Sequence, residues 1–145
     1  MKTFYLREIA HARAGDKGDT SNIGLIAYRP EYYSLIVEQV TVERVRAHFG
    51  ALVKGPITRY LMPNVDALNF VLEQSLGGGV TRSLSLDPHG KSYSALLLTL
   101  HVTVTDAIAA ALVLQGRCAI ISASAIPSTG TLALASNHPI KHPAV

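Results

Sequence analysis

The sequence predicts an α+β domain of two layers, with two principal helices on one face of a mainly antiparallel sheet. Three observations point there. Several short runs alternate apolar with polar residues, the period of a half-buried strand. Two stretches between them place apolar residues at helical spacing behind an N-cap residue. Clusters of Gly, Pro and Asp separate these runs, so the chain turns often. With 145 residues, 48% of them hydrophobic and 16% charged, there is material for one core and no compositional sign of disorder.

Residues 3–10 form the first predicted strand, with Phe4, Leu6 and Ile9 as its apolar positions. The run His11-Ala12-Arg13-Ala14-Gly15-Asp16-Lys17-Gly18-Asp19 follows. Its Gly and Asp content predicts a loop as far as Ser21. Residues 22–28 return to strand and end at Arg29-Pro30, because proline constrains the residue before it. Helix is expected over 31–37 and again over 42–49. The second of these is capped by Thr41, closed near Gly50, and striped by Val42, Val45 and Phe49.

Residues 57–61 read as a strand stopped by Pro63. Asn64 is expected to N-cap a helix that buries Leu68, Val71, Leu72 and Leu76 and ends at Gly77-Gly78-Gly79. Residues 81–86 alternate as a strand, and Asp87-Pro88-His89-Gly90 makes a turn. The stretch 91–105 carries two signals, helix over 94–98 and a β-branched strand over 101–105. Beyond it the composition changes: after Asp106 the only charged residues are Arg117 and Lys141. Residues 107–114 favour helix and 119–122 a short strand, and an irregular arm is expected from Pro127 onward. The chain therefore divides into a domain over 1–105 and an extension over 106–145.

Several function classes are disfavoured. A formal charge of +3 with scattered basic residues is a poor footprint for nucleic acid. The single cysteine, Cys118, excludes an intrachain disulfide framework and a multi-cysteine zinc site; its apolar neighbours predict a small buried hydrophobe. His138 and His142 stand four apart, but Pro139 lies between them, and no metal site is expected. The longest apolar stretch, 107–114, is too short to span a bilayer, and Arg7 and Glu8 follow too soon for a signal peptide. A cytoplasmic protein is expected.

The dense polar run is where chemistry would lie. Gly15 and Gly18 let backbone approach a ligand, Asp16 and Asp19 offer a base, and Arg13 and Lys17 offer cations for a carboxylate, phosphate or enolate oxygen. His11 offers an imidazole for proton transfer. The same residues also suit a salt-bridged, Asx-capped turn between strands, and spacing alone does not decide. Asp16, Asp19 and Asp87 would chelate Mg²⁺ only if the fold brought them together. Gly90-Lys91-Ser92 resembles the end of a P-loop, but Ser85 stands where that motif needs glycine. Gly77-Gly78-Gly79 suits helix termination better than anion binding.

The segment from Ala12 to Gly24, reading Ala-Arg-Ala-Gly-Asp-Lys-Gly-Asp-Thr-Ser-Asn-Ile-Gly, closely resembles the opening signature of AtuA-like domains. Collinear blocks follow: Arg59-Tyr60, Pro63-Asn64, Ala67-Leu68-Asn69-Phe70, Leu76-Gly77-Gly78-Gly79, Ser83-Leu84, and Asp87 through Gly90-Lys91. The resemblance covers about residues 9–100, with Ala14 where the family has serine. It implies a ferredoxin-like fold and a place in the catabolism of terpenoid and other branched acids as coenzyme A thioesters. Such domains form the C-terminal part of a larger AtuA protein or a separate small partner of one. The thioester enters as substrate rather than as a resident cofactor.

The resulting expectation is an accessory subunit or small enzyme with Asp16, Lys17 and Asp19 as catalytic groups. Asp16 or Asp19 would be the base and Lys17 the oxyanion or phosphate contact. Arg13, Asn22, Arg59, Asn64, Asn69 and Lys91 would bind an anionic acyl substrate. The rival is a non-catalytic module that forms a homo-oligomer or docks on a larger AtuA-type subunit. Convergence of Arg13, Asp16, Lys17, Asn64 and Asn69 on one pocket favours the first; separate turn contacts favour the second.

Overall fold

The computed structural model describes residues 1–120. Two short strands, β1 (Lys2–Tyr5) and β6 (His101–Val104), pair antiparallel. A four-stranded antiparallel sheet holds β2 (Ala10–Lys17), β3 (Thr20–Ala27), β4 (Ile57–Met62) and β5 (Ala67–Leu72) in the order β2-β3-β5-β4. Between β3 and β4 run α1 (Pro30–Gln39) and α2 (Val42–Phe49). Between β5 and β6 lies α3 (Tyr93–Leu97), and α4 (Asp106–Leu114) follows β6.

The strand order follows the ferredoxin-like plan with one substitution. β3 and β4 are parallel, joined through α1 and α2, with β5 inserted between them, the split βαβ arrangement. The last strand of that plan belongs beside β3. Here β2 takes the place, and β6 pairs instead with β1, which leads into β2. A 3-10 turn at Leu6–Glu8 separates β1 from β2, so the single first strand expected over 3–10 is broken. Across the break, Leu6 N–H donates to Leu100 O at 2.7 Å and Arg7 N–H to Leu98 O at 3.1 Å.

Strand alternation makes the core. Ile23, Leu25, Leu68, Phe70 and Leu72 face the helices, and Tyr32, Ile36, Val45, Phe49 and Leu97 meet them from the other layer. Ala109 and Leu112 of α4 are fully buried in the same core. Among the described residues, the helix-facing side of the sheet is closed and the opposite side is left open.

Three expected elements come out differently. The polar run is no loop: residues 10–17 and 20–27 pair along their full length as a hairpin. The buried positions are Ala10 and Ala14, whose small side chains hide the period-two pattern that larger residues make obvious. Gly18 and Asp19 form a two-residue turn with φ +61° at Gly18 alone, the geometry of a type II′ hairpin. The helix expected behind Asn64 is a 3-10 turn at Pro63–Val65 followed by β5. Leu68, Leu72 and Leu76 fit helical spacing, but Leu68, Phe70 and Leu72 also fit period two, and partners on both sides fix the strand. The strand expected at 81–86 has no neighbouring ladder to join among the described residues. Instead Arg82 and Ser83 N–H both close turns onto Gly79 O, and Leu84 and Leu86 are fully exposed. Cys118, expected buried, is exposed. Ile120 bridges to Thr3; the rest of the strand expected at 119–122, the arm from Pro127, and His138 and His142 lie outside the described residues.

Candidate functional site

Because β2 is a strand, its polar residues divide between two faces. His11, Arg13, Gly15 and Lys17 point to the open side, with Thr20, Asn22, Gly24 and Ile26 from β3. Asn69 of β5 and Tyr60 of β4 continue the Arg13–Gly24 row. No strand position on this face is Asp or Glu. Two glycines sit beside one another in the middle of it, since Gly15 pairs with Asn22 and Gly24 with Arg13. They leave a shallow recess of about 300 Å³ lined by Arg13, Gly15, Asn22, Gly24 and Ile26.

Among the described residues, packing requires neither glycine. A Cβ at Gly15 would meet none of their atoms within 4 Å, and one at Gly24 only Ile26 Cδ1 at 4.0 Å. Both have negative or extended backbone rather than the left-handed φ that would demand glycine. Glycine inside a strand weakens it, by roughly 0.5–1 kcal/mol against alanine. These two positions keep the surface low beside a guanidinium that has no ion-pair partner among the described residues.

Asp16 belongs to the helix-facing side. Its carboxylate holds Lys91 Nζ at 3.2 Å and His89 Nδ1 at 3.4 Å. These contacts, Lys91 foremost, hold the Asp16 carboxyl below its ordinary range. Lys91 and His89 are presented by a loop wound on Asp87. One Asp87 carboxylate oxygen accepts from Lys91 N–H at 3.0 Å; the other accepts from Ser92 N–H at 2.9 Å and the Ser92 hydroxyl. The Ser92 contacts likewise hold the Asp87 carboxyl below its ordinary range.

Asp19 has a different task. Its Oδ1 accepts from Leu76 N–H at 2.9 Å and Gly78 N–H at 2.8 Å, and its carbonyl accepts from Ser75 N–H. The glycine loop does bind an anion, and the anion is the side chain of Asp19. Gly79 closes the joint: a Cβ there would stand 3.2 Å from the Gly18 carbonyl. Arg59 points inward, donating to Val37 O at 2.7 Å and Val40 O at 2.9 Å, and so ties β4 to the end of α1. Asn64 is exposed in the β4–β5 turn, at the end of the sheet opposite the Gly18–Asp19 turn. Of the expected residues, then, Arg13, Asn22 and Asn69 share the open face with Lys17 near its end. Asp16 and Lys91 pair on the other side, and Asp19, Arg59 and Asn64 stand apart. Asp16, Asp19 and Asp87 do not converge on a shared ligand position: each is engaged separately.

A family-level model of the AtuA ferredoxin-like domain matches residues 4–103. The chain belongs to the AtuA ferredoxin-like domain family. The match takes in the recess, the Asp16–Lys91 pair and the Asp19 anchor. No curated protein and no solved structure matches the chain. Within the AtuA domain, Ala14 stands where the family signature has serine, and it is buried on the helix-facing side. A hydroxyl there would lie across the sheet from the recess. Gly24 and Ile26 are the lining residues that sequence reasoning did not single out. Their signal was present as period-two continuation from Asn22, once β3 is read in register with β2. No helix among the described residues is long and apolar enough to cross a membrane.

Proposed function

We propose that this AtuA domain is an accessory binding subunit of acyl-CoA or branched-acid catabolism. The open sheet face receives an anionic group of the acyl substrate, a carboxylate or a coenzyme A phosphate. Arg13 supplies the charge, Asn22 and Asn69 orient through hydrogen bonds, and Lys17 adds cationic attraction at the rim. One observation carries this reading: two mid-strand glycines that no packing contact among the described residues requires, placed beside an Arg13 that no acid among those residues neutralises.

Binding suits the geometry better than proton transfer. Asp16 is held ionised by Lys91 and His89, which makes it a weak base, and it lies across the sheet from Arg13. Asp19 is committed to backbone N–H groups. Chemistry on the substrate would therefore fall to a larger AtuA-type subunit. The test is a titration of the whole chain with a branched short-chain acyl-CoA, followed by backbone amide shifts. Saturable shifts at Gly15 and Gly24 that Arg13→Ala weakens about tenfold, the worth of one charge-assisted contact, support it. A wild-type chain whose Gly15 and Gly24 amides do not move refutes it.

A second reading, docking or self-association through β4, rests on its outer edge, which is unpaired among the described residues. Tyr60, Leu61 and Met62 are about half exposed there, with Val65 beside them. Sedimentation of the chain alone and with an AtuA-type subunit tests it; a Leu61→Lys variant that assembles as well as the wild type counts against the edge.

A further inference from the structure

A second recess, of about 470 Å³, opens at the end of the sheet where β5 leaves it. The chain turning out of α2, residues 51–54, forms one wall, the glycine loop the second, and Ser83 and Ser85 the third, with Tyr93 behind. We propose that this recess is a separate site for an oxyanion, a phosphate or carboxylate group of a small metabolite.

The lining has unspent donors. Lys54 has no ion-pair or side-chain hydrogen-bond partner among the described residues, and Gly77 N–H has no acceptor among them. Ser83 Oγ accepts from Ser85 N–H and Ser85 Oγ accepts from Asp87 N–H, both at 3.2 Å. Each hydroxyl has used an acceptor lone pair and keeps its O–H to donate. The single acidic lining residue, Asp19, already has one oxygen satisfied by two backbone N–H groups. The Ser83 and Ser85 hydroxyls and the Gly77 N–H thus stand as donors around the Lys54 cation, a set that recognises an oxyanion.

The walls are fixed before any ligand arrives. Lys54 N–H donates to Gln74 O and Gly55 N–H to Glu73 O, both at 3.1 Å, which clamps the Lys54 wall to the loop opposite. Gly55 is required there, since a Cβ would stand 2.7 Å from Glu73 O. Tyr93 spends its hydroxyl on Ser75 O at 2.6 Å and so braces the floor. Gln74 holds φ +49°, an uncommon conformation for a residue with a side chain, at the mouth of the same recess.

The test is an amide-shift titration of the whole chain with three probes in turn: inorganic phosphate, coenzyme A and hexanoate. Saturable shifts at Gly77, Ser83 and Ser85 with any of them are expected. Phosphate alone identifies a free-phosphate site, coenzyme A a phosphate ester, and hexanoate a carboxylate. Lys54→Gln should weaken that binding about tenfold, Ser83→Ala should weaken it less, and Arg13→Ala should leave it unchanged. Lys54 is exposed, so its replacement leaves the fold in place. Absence of shifts with all three probes, or shifts that Lys54→Gln and Ser83→Ala both leave intact, overturns the proposal. Failure at Gly15 and Gly24 in the same spectra would concern only the other recess.

Discussion

At the scale of single residues, several charged side chains of this domain do structural work through main-chain contacts, Arg46 among them through Gly55 O at 2.7 Å. Asp19 joins the hairpin turn to the glycine loop by two N–H bonds, and Asp87 winds the loop that carries Lys91. Arg59 and Arg44 tie elements together through carbonyls, Arg44 reaching Gln39 O at 2.7 Å and also His101 O. Removing such an acceptor strands its donors, so Asp19→Ala should destabilise the fold by roughly 1–3 kcal/mol in urea unfolding. A change below a few tenths would mean that water replaces the carboxylate freely. Acid should act on the Asp87 loop first. Asp16 and Asp87 are both held below the ordinary carboxyl range, so their stabilisation is complete at neutral pH and is lost as pH falls through their lowered values, below about pH 4. Amide exchange at Lys91 and Ser92 should therefore accelerate there before exchange in β3 and β5 does. Simultaneous acceleration would contradict that order.

At the scale of elements, the four helices that form were legible, whereas β5 was expected as helix and the hairpin as a loop. Thr41 accepts from Arg44 N–H and α2 runs over 42–49 as its stripe and cap require. The polar run was misleading because Gly and Asp signal turns locally, while the turn itself needs only Gly18 and Asp19. Its strand character lies in alanines alternating with charges, a pattern without apolar contrast. β5 was hidden for the opposite reason, since its apolar residues satisfy two periods and only pairing with β3 and β4 decides. Residues 81–86 alternate yet stay unpaired, because a strand pattern without a free edge beside it has no ladder to join. At the far side of the molecule, Gln39 takes up Thr103 N–H and C=O through its amide at 2.8 and 2.7 Å and so closes the edge of β6. Gln39→Ala should cost about 1–2 kcal/mol, read as faster exchange at Thr103 with β3 unaffected.

At the scale of the whole molecule, the sheet separates binding from bracing. One face carries a core shared with α1 to α4; the other carries cations, amides and a glycine gap. The residues of the site were legible as a cluster in the sequence, but not their division, because facing follows from register and register from a hairpin whose Gly and Asp content signals a loop. On the proposed reading, glycine at positions 15 and 24 keeps the surface low for a ligand and not for the fold. Gly15→Val tests it most directly, since its side chain enters open space. The deciding measurement is a calorimetric titration of a branched short-chain acyl-CoA into this variant, with its unfolding curve beside that of the wild type. The prediction is a fold more stable by roughly 0.5–1 kcal/mol together with binding weakened at least tenfold, as a filled recess requires. A variant that binds as tightly as the wild type would contradict it.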